Sequence, residues 1–274
     1  MKKYLSISLF ASALALVACG ATGTDSSDLN NSRMAGNSVN EAPSSSKRLF
    51  KGNAKTEDRI RSIAKQAVKD GNTEEALLFY EGLYKRDSNN VDNALSYAQV
   101  LRKTGHPQRS VMVLSRFVDR TNYAEFATAD DKKRKSKKLK QYDRMLILEY
   151  ASALLEMGQF ERSERFLQPM LEDKKASDLH PQVHNLIGVS MDARAMHGKA
   201  EMHYRAAMDG WEGTPINVMN NLALNLAHQG YFDESLDLLR RARVMAPDQE
   251  SVAANIDIVT DLQKAIVAKP TKLQ

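Results

Sequence analysis

From Thr56 onward apolar residues recur at i, i+3, i+4 and i+7, and no useful stretch alternates with period two. That periodicity predicts an all-helical domain over residues 56–268. Glycines punctuate it. Gly71 and Gly105 lie 34 residues apart, and Gly158 and Gly230 lie 72 apart, two such periods and four residues of slack. Five windows align on this register: Glu57–Asn90, Val91–Ala124, Arg144–Ser177, Pro181–Thr214 and Ile216–Gln249. Their eighth positions are all small (Ala64, Ala98, Ala151, Gly188, Ala223), as are their twentieth positions (Ala76, Ser110, Ser163, Ala200, Ser235). The fifteenth positions are Gly71, Gly105, Gly158, Ala195 and Gly230. The twenty-fourth are Tyr80, Leu114, Leu167, Tyr204 and Leu239, and the seventh and eleventh are apolar or small throughout.

Each column has a physical reason. Two antiparallel helices approach closely only where their facing side chains are small. A glycine takes the positive φ that ends the first helix and allows a tight turn. Tyr or Leu at the twenty-fourth position fills the space against the next unit, and each hairpin leaves an apolar face that stacking buries. Period and columns together resemble the tetratricopeptide repeat. The resemblance covers about 170 residues and implies an all-α superhelical solenoid of about five helix–turn–helix repeats. Residues 250–268 continue as an amphipathic helix that caps the open face of the fifth repeat, leaving a short tail at 269–274. At the thirty-second position, where that family prefers proline, only Pro247 keeps it; Ser88, Asn122, Lys175 and Glu212 stand in the other windows.

The first twenty residues, "MKKYLSISLFASALALVACG", carry a basic n-region at Lys2 and Lys3 and a thirteen-residue apolar run from Leu5 to Val17. That run suits a signal peptide and falls short of the ~20 residues of a spanning helix. "LVAC", ending at Cys19, resembles the lipobox of bacterial lipoproteins. The resemblance implies cleavage after residue 18 and a lipid on Cys19, which is the chain's only cysteine. Several acyl chains hold a protein stably at a membrane surface that it does not span. Gly20 in place of an aspartate implies, by the same resemblance, sorting to the outer membrane, facing the periplasm. Residues 19–55 are rich in Ser, Asn, Gly and Thr and have too few apolar groups to fold, so they read as a tether. About 35 flexible residues reach ~30–35 Å.

Charge changes the picture little. The formal net charge is +5, and losing Lys2 and Lys3 leaves +3, too mild for a nucleic-acid partner. One run stands out: "DDKKRKSKKLK" in the insertion 125–143, with Lys132, Lys133, Arg134, Lys135, Lys137, Lys138 and Lys140. It reads either as a solvated helical extension or as a docking site for an acidic partner or anionic lipid headgroups. In such a solenoid the groove is lined by the first helices, at positions two, five, nine, twelve and thirteen of each repeat. This puts Arg61, Lys65, Lys69, Arg102 and Lys103 on a basic end suited to a carboxylate or acidic segment. Asn185, Asn217 and Asn220 fall on the other end with Asp192, Leu224 and His228, where asparagine amides could bond the backbone of an extended peptide.

His184, Met191, Met196, His197, Met202, His203 and Met208 form a loose soft-ligand set compatible with a periplasmic copper carrier. The register nevertheless puts Met191 and Met208 on packing faces, where methionine serves as filler. His180 and His184 are four apart, but no glutamate follows His180, so the zinc-protease motif is absent. No nucleophile elbow, phosphate loop or dinucleotide motif occurs. The expectation is a protein that is not an enzyme and has no metal or cofactor.

The lipobox together with "HNLIGVSMDARAMHGKAEMHYRAAM" and "NNLALNLAHQGYFDESLDLLRRARVMAPD" resembles the TadD family of lipoproteins of the tight-adherence (Flp) pilus. The likeness is clearest from His184 to Asp248. It implies a scaffold that binds a secretin or another pilus or secretion component. Similar lipoproteins serve type IV pili as pilotins or serve outer-membrane protein assembly.

Overall fold

The computed structural model describes residues 54–118 and 141–267. Cys19, the signal segment, most of the tether and Lys132–Lys140 lie outside the described residues. Among the described residues there are eleven α-helices and no strand. In chain order they are α1 (Ala54–Lys69), α2 (Thr73–Arg86), α3 (Val91–Lys103), α4 (Pro107–Val118), α5 (Gln141–Glu156), α6 (Phe160–Glu172), α7 (His180–Ala193), α8 (His197–Gly210), α9 (Ile216–His228), α10 (Phe232–Met245) and α11 (Glu250–Val267). Two differences from the expected boundaries are small. α1 starts at Ala54, inside the expected tether, and α5 starts at Gln141, inside the expected insertion.

The chain forms two compact units, which divide after Phe117. In the first, α1 pairs with α2 and α2 packs on α3. In the second, the hairpins α5–α6, α7–α8 and α9–α10 stack in order and α11 closes the last one. A 3-10 turn at Lys174–Leu179 makes the break between α6 and α7, in the window where Lys175 stands in place of the family's proline.

The glycine column explains the hairpins. Gly71, Gly105, Gly158 and Gly230 all have positive φ, and so does Ala195 at 59°, the residue that stands in the same column. Each ends its helix with the same pair of bonds. The residue after it donates back across the turn into the last turn of the helix, as in His106 N to Leu101 O (2.8 Å) and Met196 N to Met191 O (2.9 Å). The column residue itself donates to the next carbonyl, as in Gly105 N to Arg102 O (3.0 Å) and Ala195 N to Asp192 O (2.9 Å). This is the Schellman closure, which satisfies helix-end carbonyls and turns the chain. At Ala195 it is held against the ~1–2 kcal/mol that a Cβ costs in the left-handed region.

The small columns close the hairpins. Ala64, Ala98, Ala151 and Ala223 are fully buried opposite Ala76, Ser110, Ser163 and Ser235. Ser163 Oγ donates to Ala151 O at 2.9 Å and Ser235 Oγ to Ala223 O at 2.7 Å. Ser163 and Ser235 thus bond the backbone of their own partner positions, so these hydroxyls are buried at no net loss of hydrogen bonding, whereas Ser110 Oγ in the first unit is buried without a hydrogen-bond partner. All five twenty-fourth positions are buried. Met191 and Met208 pack against the core of the second unit, as their register requires, while Met202 is exposed.

Candidate protein-interaction surface

In the second unit consecutive first helices touch one another: α5 with α7, α7 with α9 and α9 with α11. They form one row, in which α9 is buried from Val218 through Ala227. A ladder of amides stitches it. Asn221 Nδ2 donates to Asn185 Oδ1 at 3.0 Å, joining α9 to α7. Asn255 Nδ2 donates to Asn220 Oδ1 at 2.7 Å, joining α11 to α9. Asn225 Nδ2 donates both to Asp192 Oδ1 (2.9 Å) and to His197 O (3.0 Å).

The ladder corrects part of the sequence reading. Asn220 is 3% exposed and Leu224 7%, so neither stands in an open groove. The amide oxygens of Asn185 and Asn220 are taken by the next repeat, and Asn217 Oδ1 accepts from Gln249 Nε2 at 3.3 Å. These asparagines hold helices to each other. The sequence period could not reveal this, because a groove position and a junction position differ by one residue: the donors Asn221 and Asn255 sit at sixth positions, the acceptors at fifth.

In the first unit the basic residues keep the expected character. Lys65, Lys69 and Lys103 are exposed, and Arg61 and Arg102 are half-buried. Arg61 is committed locally: it donates to Asn93 Oδ1 at 2.9 Å, tying α1 to α3, and lies 3.7 Å from Asp58. Lys65 and Lys69, one helical turn apart, stand on one face of α1.

Solved structures of the same architecture identify it. The tetratricopeptide protein TTC0263 of Thermus thermophilus superposes with a TM-score of 0.56 at 15% identity, over 74% of this chain and 98% of that one. The fold is the tetratricopeptide-repeat solenoid. A chain of the APC/C hetero-tetramer Cut9-Hcn1 superposes with a TM-score of 0.57 at 12% identity, over 78% of this chain and 38% of its own. At such identity the tetratricopeptide likeness is one of fold. No protein-family model and no curated protein matches the chain.

Within this tetratricopeptide unit the histidines pair instead of clustering. His184 Nδ1 and His203 Nδ1 lie 2.9 Å apart, linking α7 to α8. His197 and His228 stack at 5.1 Å with an interplanar angle of 4°, and His197 Nδ1 meets Asp192 Oδ1 at 2.5 Å. His180 Nε2 faces the carbonyls of Met170 and Asp173 at 3.0 and 3.3 Å, turned to the backbone and not to a shared ligand with His184. Among the described residues no group of three or more His, Cys, Asp or Glu side chains is placed to hold a metal ion. Among them, too, no helix is long and apolar enough to cross a membrane.

The pairs carry a pH dependence. Burial pushes the His184, His203 and His228 imidazoles below the usual value. His203 and His180 add to the effect at His184, and Glu164 opposes it at His203. At His228, Asp192 opposes it and His197 adds to it. A histidine depressed in the folded state is neutral in both states above pH ~6.5, so it costs nothing there. Below that value the unfolded chain takes up the proton first, and stability falls as pH falls. Each such histidine contributes a slope of at most ~1.4 kcal/mol per pH unit. We expect the urea midpoint to drop from pH 7.5 to 5.0, above the range where carboxylates titrate. His203→Asn is expected to flatten that drop. An unchanged midpoint across the window would contradict the burial of His184, His203 and His228 as neutral imidazoles.

Proposed function

We propose that this chain is a non-enzymatic scaffold lipoprotein, anchored to the outer membrane through Cys19 and facing the periplasm. Its repeats bind segments of protein partners during assembly of a pilus or secretion system, the Flp/Tad pilus and its secretin foremost. Type IV pilotin-like action and outer-membrane protein assembly are the neighbouring readings. The pairing of a lipobox at Cys19 with a tetratricopeptide fold supports anchorage, and the basic row Lys65, Lys69 and Lys103 supports capture of an acidic segment or terminal carboxylate. The basic run Lys132–Lys140 is a second docking candidate for acidic partners or lipid headgroups.

The binding half is tested with a labelled acidic peptide bearing a free C-terminus, followed by fluorescence anisotropy against the full chain. Lys65→Glu with Lys69→Glu should weaken binding at least tenfold at 0.1 M salt, with the helical signal unchanged. Equal affinity in the double variant removes the carboxylate reading. For the anchored half, Cys19→Ser should shift the chain from the membrane to the soluble fraction and disturb one secretin, not barrel proteins in general.

A further inference from the structure

We infer that the first unit carries a side-chain pocket between α2, α3 and α4, and that it anchors a phenylalanine or leucine of a partner segment with an aspartate or glutamate beside it. This rests on the partner-binding reading above and adds a second site, separate from Lys65 and Lys69 on α1.

The pocket is a surface cavity of about 210 Å³. Its walls are almost wholly carbon: the rings of Tyr84 and Tyr97, stacked at 5.4 Å, and the side chains of Met112 and Val113. Drug-sized ligands occupy sites of ~300–1,000 Å³, so this one suits a single large side chain and not a cofactor. Burial, with Glu81 adding to it and Arg109 opposing it, pushes the Tyr97 hydroxyl up to about 12, so that wall stays uncharged. Met112 is 73% exposed. One exposed apolar residue on a surface means little by itself. Met112 also lines the cavity, and apolar side chains seated in such pockets carry most of the energy of an interface.

Charge at the same pocket selects what accompanies the anchor. Glu81, Lys85 and Arg109 complete its lining. Lys85 Nζ lies 3.0 Å from Glu81 Oε1 and Arg109 Nη2 lies 3.6 Å from it, so two cations share one carboxylate. Arg109 Nη2 also donates to the Tyr97 hydroxyl at 2.7 Å. A guanidinium has five N–H donors, so this half-exposed one keeps donors for a ligand carboxylate. The ion pair alone is a junction clamp. The same two columns, nineteenth and twenty-fifth, are paired with reversed sign in the last junction, where Arg205 Nη2 meets Glu234 Oε1 at 2.8 Å. There the third charge is Glu201, which leaves the cluster acidic. Here it is Lys85, which leaves a surplus cation beside a carbon-lined cavity. An apolar side chain next to a carboxylate matches both halves, the cavity giving contact area and the cation giving selectivity.

The test uses the full chain and a short labelled peptide, acetylated and amidated, with one phenylalanine flanked by glutamates, followed by fluorescence anisotropy. Replacing the phenylalanine by serine, or the glutamates by lysine, should weaken binding at least tenfold. Met112→Glu and Lys85→Glu, both at exposed positions, should each do the same. Met202→Glu, the same change at the equivalent twenty-second position of the fourth repeat and equally exposed, should leave affinity within twofold. So should Lys65→Glu with Lys69→Glu. Equal binding by wild type and the Met112→Glu variant overturns the assignment, as does binding lost only in the Lys65→Glu, Lys69→Glu chain. Self-association that Met112→Glu abolishes overturns it too, since the occupant is then a second copy. If the acidic peptide with a free C-terminus binds while the phenylalanine peptide does not, this inference fails and the general reading stands. If neither binds, the general reading fails.

Discussion

Asp173→Ala is expected to lower the unfolding free energy by about 3 kcal/mol, the low end of the range for removing one partner of a buried ion pair. Arg144 Nη2 lies 3.2 Å from Asp173 Oδ2, and the two side chains are 6% and 20% exposed. Arg144 opens the repeat-three window near the start of α5, and Asp173 caps the C-terminal end of α6. The pair therefore clamps the two ends of one hairpin together. A lysine in this position could shed its proton when its partner is lost. An arginine cannot, so Asp173→Ala leaves a full charge in a place water scarcely reaches. The one-fifth exposure of Asp173 admits some water and argues for the low end of the range. Urea unfolding of wild type and variant measures the difference. Arg144→Met combined with Asp173→Leu should recover most of it, because an apolar pair of similar size pays no desolvation cost. A loss under 1 kcal/mol in the single variant would mean that Arg144 is held chiefly by other groups.

That clamp was invisible in the sequence, whereas the hairpins around it were plain. The reason lies in what repeats. Eighth, fifteenth, twentieth and twenty-fourth positions do the same task in every unit, so five copies of the same constraint stand out above the noise of a single chain. Ala195 is the instructive case: it breaks the glycine column in composition yet keeps its φ at 59°, because the Schellman bonds and not the residue type define the turn. Arg144–Asp173, Arg194 with Glu161 and Glu164, and the histidine pairs each occur once. Nothing periodic announces a contact made once. The basic end of the first-helix face was legible, since Lys65, Lys69 and Lys103 are exposed where the register put them. At the asparagine end Asn217 is exposed, whereas Asn220 and Leu224 are buried. An amide at a junction and an amide in a groove have the same sequence signature, and only the distance to the next helix separates them.

Gly188→Ala is expected to destabilise the second unit by about 1–2 kcal/mol, although alanine is the residue at this column in every other repeat. A helix gains roughly 0.5–1 kcal/mol when an interior glycine becomes alanine, and the backbone of Gly188 is helical, so local preference favours the change. Packing opposes it. A Cβ on Gly188 would lie 2.7 Å from Tyr204 Cε1 and 2.8 Å from Cδ1, well inside contact distance. Tyr204 is 2% exposed, so its ring has no solvent side to move into. Overpacking of this kind costs about 1–3 kcal/mol, which exceeds the propensity gain. The first repeat shows that Ala and Tyr are not incompatible in principle, since Ala64 and Tyr80 occupy the same columns there. What decides the fourth repeat is where the Tyr204 ring sits, directly over α7 at Gly188. The remaining repeats pair alanine with leucine: Ala98 with Leu114, Ala151 with Leu167 and Ala223 with Leu239. Tyr204→Leu alone should therefore cost more than Tyr204→Leu added to Gly188→Ala, because the second change restores a combination the fold already uses three times. Denaturant unfolding of the four proteins gives the coupling directly. A favourable coupling of at least ~1 kcal/mol is expected, and additive losses would show that the ring relaxes away from Gly188 as Tyr80 does from Ala64.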